Sequence, residues 1–247
     1  MKFSDQGIII SIRKYGENSL LLKVFSNNNG IFSTFVKSAK SSKDKVIFQI
    51  GNLISFEYRT RIEENLGQLY YVDLIKSYCA KIIFDRLKLD CVKSLFSIID
   101  AVFLEKENHE ILFEKFNNFL LMISDDATEK KEFLAEYIKL ELKILKTLGY
   151  GIDLSCCVVT NSKVNLAFVS PKSACAVSLE AGKPYQNKLL KLPSFLVEDC
   201  HYDESHLLDG LRLSGYFLEK FAFEEKSQTI KNQQFIHREN IAKQLQE

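Results

Sequence analysis

Residues Leu148 to Tyr185 read LGYGIDLSCCVVTNSKVNLAFVSPKSACAVSLEAGKPY, and they have the frame of a metal knuckle without its ligands. Gly149 and Gly151 close a long helical pattern, and turns follow at Asn161-Ser162, Pro171-Lys172 and Gly182-Lys183-Pro184. A four-cysteine site needs one C-x₂-C pair on each arm, about 15–20 residues apart. The matching positions here are Cys157 with Thr160 and Ser178 with Ala181. Zn²⁺ takes about four N or S donors in a tetrahedron, which Thr, Ser and Ala cannot supply. The reading is a metal-free segment at 149–186, packed by Val158, Leu166, Phe168 and Val177. The competing reading is a residual metal site drawing on Cys156, Cys157 and Cys175, with Cys200 and His201 completing it.

Upstream of this segment the hydrophobic period changes once. Ile8–Ile12, Leu20–Phe25, Ile31–Val36, Leu53–Arg59 and Leu69–Ile75 read as five short strands, with Asn27-Asn28-Asn29-Gly30 as the turn of a hairpin. Five strands in some 75 residues suit a small closed barrel such as an OB-fold. After Ser77 the period becomes helical. Phe84, Leu87, Cys91, Leu95, Ile98 and Val102 form one stripe, and Leu112, Phe116, Phe119 and Ile123 a second. Leu134, Ile138, Leu142 and Leu145 form a third, Leu207, Leu208, Leu211, Leu218 and Phe221 a fourth, and Ile230 to Leu245 a weaker fifth. Stripes this wide must bury against each other. The expected fold is α+β, with an OB-type barrel over 1–78 and a mainly helical domain over 79–247 that carries the knuckle-like insertion.

Charge is distributed unevenly. The chain of 247 residues has a net charge of only +1, but residues 1–61 hold ten Lys and Arg against four Asp and Glu, a net +6. The remainder is therefore at −5. Such a basic pole favours a polyanion. A strand-binding barrel needs cations tracking the phosphates and aromatic faces for the bases. The candidate cations are Arg13, Lys14, Lys37, Lys40, Lys43, Lys45, Arg59 and Arg61, and the candidate stacking rings are Tyr15, Phe32, Phe35, Phe56 and Tyr58.

The order and spacing of several short motifs resemble the bacterial RecO recombination mediators. They are Arg13-Lys14-Tyr15-Gly16-Glu17, Gly30, Phe35-Val36-Lys37-Ser38-Ala39-Lys40, Gly149-Tyr150-Gly151-Ile152-Asp153-Leu154 and Val159-Thr160. Phe168-Val169-Ser170-Pro171, Ala176-Val177-Ser178, Glu180-Ala181-Gly182-Lys183-Pro184-Tyr185 and Leu190–Leu196 continue the series. Many members keep the four knuckle cysteines, and this chain departs from them. The resemblance implies binding of single- and double-stranded DNA, annealing of complementary strands, and help, with RecR, in loading RecA on strands coated by the single-stranded-DNA-binding protein. It also implies that the acidic, phenylalanine-ended tail of that protein docks on the helical domain, where Leu208, Arg212 and Tyr216 stand among Leu207, Leu211, Leu213 and Phe217. The expected location is the bacterial cytoplasm, at the nucleoid.

Enzyme chemistry finds little to build on. There is no G-x-x-x-x-G-K-[ST] loop, no G-x-G-x-x-G and no H-E-x-x-H among the histidines at 109, 201, 206 and 237. Cys200-His201 are sequence neighbours without an oxyanion motif nearby. The expectation is a protein that is not an enzyme and has no cofactor. The alternative from another class is a helical adaptor whose barrel binds protein rather than DNA.

Overall fold

The computed structural model describes residues 1–37, 39, 41–61, 66–198, 202–222 and 228–246, with side chains in the last helix from residue 235 onward. The expected candidate Lys40, and the pair Cys200-His201, lie outside the described residues.

The first 77 residues form five strands, β1 (Lys2–Tyr15), β2 (Ser19–Ser26), β3 (Gly30–Val36), β4 (Asn52–Arg59) and β5 (Gly67–Ser77), closed in the order β1-β2-β3-β5-β4. A short helix, α1 (Ser42–Ile47), joins β3 to β4. This strand order is OB-like. Closure rests on β1, which pairs antiparallel with β2 along its second half and with β4 along its first. A register shift between Ile9 and Ser11 marks where the strand bends from one partner to the other. Alternation then sends Ile9, Leu22, Val24, Phe32, Ile54, Phe56 and Tyr58 into one apolar core. Gly30 enters β3 with φ +65, and a Cβ there would collide with the carbonyl of Glu107. Only glycine fits both demands.

Helices α2 (Arg86–Val102) and α3 (Glu110–Ile123) follow. The strand-to-helix change falls where the sequence places it, but the compact unit does not end there. It runs from Met1 to Asp126, and a second runs from Ala127 to Glu247. Phe25 on β2 meets Phe113 and Phe116 of α3, Lys23 pairs with Asp100 of α2, and the Lys106 N–H donates to the Ile31 carbonyl at 2.7 Å. The first two helices thus belong with the barrel rather than with the later helices. Phe84, expected in the first helical stripe, is fully exposed ahead of α2.

The second unit begins with α4 (Lys130–Thr147). Next come β6 (Leu166–Val169), β7 (Ala176–Ser178), α5 (Leu179–Gly182) and β8 (Leu190–Lys191), whose strands form an antiparallel sheet in the order β7-β6-β8. Helices α6 (Glu204–Phe217) and α7 (Gln228–Gln244) complete it, with a π-helical turn at Leu218–Ala222. α4 ends in a Schellman motif. The Tyr150 N–H donates to the Leu145 carbonyl at 2.8 Å and the Gly149 N–H to that of Lys146 at 3.1 Å, with Gly149 at φ +88. Among the described residues no helix is long and apolar enough to cross a membrane.

α4, α6 and α7 share one buried ionic clamp. Glu141, fully buried, accepts from Arg238 Nε at 2.9 Å and from the Tyr137 hydroxyl at 2.6 Å, while Ser214 Oγ bonds both Glu141 and Arg238. Removing one partner strands a buried charge, at a cost of about 3–5 kcal/mol. Arg238→Met should therefore lower the urea midpoint strongly, and Glu141→Gln with Arg238→Met should recover much of the loss. An unchanged midpoint in Arg238→Met would contradict the clamp.

Candidate nucleic-acid interface

One open groove, of about 880 Å³, lies between the start of the β1–β2 turn and Thr60, Arg61 and Leu66 beside β4 and β5. Its walls include Lys37, Arg59, Arg61, Tyr15, Phe35 and Tyr70. Pairing places them there. Tyr15 opposes Ser19, Leu21 opposes Phe35, and Arg59 opposes Gln68, so the ends of β1, β3, β4 and β5 meet at this rim. Tyr15 is 62% exposed and packs edge-on against Phe35 with centroids 4.8 Å apart. The Arg59 guanidinium lies 4.8 Å from the Tyr70 ring centre and 5.7 Å from that of Tyr71. Cation–π contact of this kind orients the cation in advance of any ligand.

Glu57 limits the field in the groove. It pairs with Lys2 at 2.8 Å and with Arg59. The hydrogen bonds from Lys2 and then Arg59 hold its carboxyl below the ordinary range, so it stays anionic and offsets part of their charge.

The seven expected cations among the described residues do not form one cluster. Lys37, Arg59 and Arg61 share the groove. Arg13 lines a smaller cleft with Lys23, Ser33 and Asp100, and Lys14 is exposed near the end of β1. Lys43 and Lys45 sit on α1, where a capping box between Ser41 and Asp44 turns the expected loop into helix, and Lys43 pairs with Asp73 at 3.4 Å. Three of the five expected stacking rings are wrong for that role: Phe32, Phe56 and Tyr58 are buried in the barrel core at 2–3% exposure. Two rings on the surface escaped the sequence reading, Tyr70 and Tyr71. A register shift between Ser55 and Glu57 and a left-handed Tyr71, φ +49, expose both neighbours where simple alternation would bury one. The consecutive Tyr-Tyr pair was the available signal.

On α6, Leu207, Leu211, Leu213 and Phe217 belong to the core. Leu208, Arg212 and Tyr216 fall four residues apart on the opposite stripe, half-buried or exposed. Arg212 does not stand between core leucines as expected. It faces outward and bonds Asp209 at 3.2 Å.

The knuckle-like segment brings its four expected positions together around sulfur. Cys157 is fully buried, packed with Phe168 and Val177, with Ala181 against them. Val158, expected in this core, is half exposed. Burial pushes the Cys157 thiol up, but the hydroxyl and N–H donors of Ser178 and Thr160 outweigh it and bring the pKa down to about 6. One cysteine sulfur, two hydroxyls and a methyl do not make a tetrahedral zinc site. Among the described residues no three His, Cys, Asp or Glu side chains converge on a metal position. Cys157 instead gathers both arms by accepting their hydrogen bonds.

The fold and groove define an OB-type barrel protein with an appended helical unit. Residues 1–78 match the family model described as Recombination protein O N terminal, and residues 83–223 the one described as Recombination protein O C terminal. The chain is 37% identical over 237 residues to DNA repair protein RecO of Rickettsia typhi, covering 96% of this chain and 98% of that protein. It is 38% identical over 237 residues to DNA repair protein RecO of Rickettsia conorii, covering 96% and 97%. The chain belongs to the RecO family of DNA repair proteins.

The depressed Cys157 pKa has a stability consequence. A thiol whose folded pKa lies below its unfolded value, near 8.5, adds stability that is complete above the unfolded pKa and is lost as pH falls through about 6. The difference in urea midpoint between the parent protein and Cys157→Ala should widen from pH 5.5 to pH 9. A gap that does not change with pH would contradict the thiolate hub.

Proposed function

We propose that the chain is a non-catalytic recombination mediator that binds single- and double-stranded DNA through its barrel and anneals complementary strands. With RecR it would help load RecA on strands coated by the single-stranded-DNA-binding protein. The observation that carries this reading is the groove itself: Lys37, Arg59 and Arg61 stand with Tyr15, Phe35 and Tyr70 at the two loops of an OB-type barrel. These loops and the adjoining sheet face are where that fold takes oligonucleotides. Fixed cations release the counterions condensed on phosphates, and exposed rings offer stacking surface that any base can use. Annealing needs no bond broken in either strand. It needs the repulsion between two polyanions screened while their bases pair, which the basic pole supplies.

The outward stripe of α6 supports the partner side of the proposal. Leu208 and Tyr216 offer apolar surface with Arg212 between them along the stripe, its guanidinium bonded to Asp209. An acidic peptide ending in an aromatic residue needs such a combination.

The test is electrostatic. Lys37→Glu with Arg61→Glu should weaken binding to a thymidine oligonucleotide and to an unrelated strand alike. It should also flatten the dependence of log K on log salt by about 0.7 for each phosphate no longer neutralised. Glu57→Gln should act oppositely, tightening binding at low salt by releasing Arg59 and Lys2. Titrations by fluorescence anisotropy at two salt concentrations read both effects. Affinity and slope unchanged in the double variant would remove the assignment of the groove.

A further inference from the structure

The second compact unit carries an aromatic ladder that the groove does not use. Phe217, fully buried, is stacked on Phe221 at 5.8 Å between centroids and 13° between planes. Phe221 is stacked in turn on Tyr150 at 4.8 Å and 3°. Tyr150 is the outermost ring and is 44% exposed. A stack that begins in the core and ends at the surface offers its last face to another flat ring.

Lysines lie on the segments that carry the ladder. The Lys220 ammonium lies 4.9 Å from the Phe221 ring centre and donates to the Pro171 carbonyl at 2.5 Å. This bond brings the turn bearing exposed Lys172 up to the ladder. Exposed Lys146 lies in the last turn of α4, and its Cγ stands 3.2 Å from where a Cβ on Gly151 would be. Of the carboxylates near the ladder among the described residues, Asp153 is turned to its own loop, accepting from the Ser155 N–H at 2.9 Å and hydroxyl at 2.6 Å, and Glu219 is exposed on the π-helical turn.

Local structure fixes the arrangement from both sides. The Schellman motif that ends α4 holds Tyr150 by its backbone N–H, leaving the side chain uncommitted to the cap. The π-helical turn at Leu218–Ala222 sets Lys220 and Phe221, and such turns are rare and recur at functional sites.

We propose that Tyr150, with Lys146, Lys172 and Lys220 around it, is a second binding site for unpaired nucleotides, carried by the unit 127–247. A base stacks on the free face of Tyr150 and the lysines meet the flanking phosphates. It is independent in residues from the barrel groove, and it rests on the nucleic-acid reading given above only in ligand class. A protein that pairs two strands gains from holding each on its own site.

The experiment uses the full chain carrying Lys37→Glu and Arg61→Glu, which silence the barrel groove, and a fluorescein-labelled thymidine 12-mer at low salt. The expected result is residual binding that Tyr150→Ala weakens roughly tenfold or more, that Tyr150→Phe preserves, and that Lys172→Glu weakens with a shallower salt dependence. Lys172→Glu, at an exposed turn, keeps the test valid even if Tyr150→Ala disturbs the fold. Residual binding indifferent to both Tyr150→Ala and Lys172→Glu would overturn the proposal, as would the absence of any residual binding. If the groove variants bind like the parent while Tyr150→Ala abolishes binding, the barrel reading fails and this one stands.

Discussion

Pairing of β1 with two partners at once is the constraint on which the barrel depends. A 14-residue strand that bends at Ile9–Ser11 can bond β2 and β4 together, and only then does the sheet close without free edges. Closure decides which aromatic residues are structural and which face outward. Phe32, Phe56 and Tyr58 fill the interior, and Tyr15, Tyr70 and Tyr71 remain on the surface beside Arg59. It also disperses a run of lysines that looks continuous in sequence. Lys37 turns to the groove rim, and Lys43 and Lys45 are carried away on α1.

The charge asymmetry gains meaning from the same geometry. Residues 62–126 hold seven basic against twelve acidic residues, and residues 127–247 hold sixteen of each. The +6 and the −5 therefore lie in one compact unit, Met1–Asp126. Its acidic half is the part that follows the fourth strand, including the helices packed on the barrel. A polyanion approaching that unit meets an oriented field rather than a uniform one. The neutral second unit makes no long-range contribution of this kind, so a ligand there depends on close contacts such as those around Tyr150.

Much of this was legible in the sequence. Strand positions, the change of period after Ser77 and the stripes of α3 and α4 follow from alternation and helical spacing, because burial imposes those periods directly. The knuckle-like frame was legible too, since the spacing of Cys157, Thr160, Ser178 and Ala181 foreshadows their meeting in the structure. The Cys157 sulfur accepts donors from both arms, and Phe168, Val177 and Ala181 close around it. What sequence left hidden was decided by contacts distant along the chain. α1 depends on a capping box whose residues also read as a polar loop. The division at Asp126 depends on Phe25 meeting α3 across the fold. The exposure of Tyr70 with Tyr71 depends on a bulge that breaks alternation. Arg212 looked buried because its helix neighbours are, although its own position on the turn faces outward.

On the proposed function, barrel closure leaves a small subset of the basic residues in position to meet DNA. Acetylation footprinting of the full chain, with and without a saturating thymidine oligonucleotide, measures this lysine by lysine. Lys37 should become protected while Lys43 and Lys45 react as before. Protection of Lys43 and Lys45 with Lys37 unchanged would contradict it.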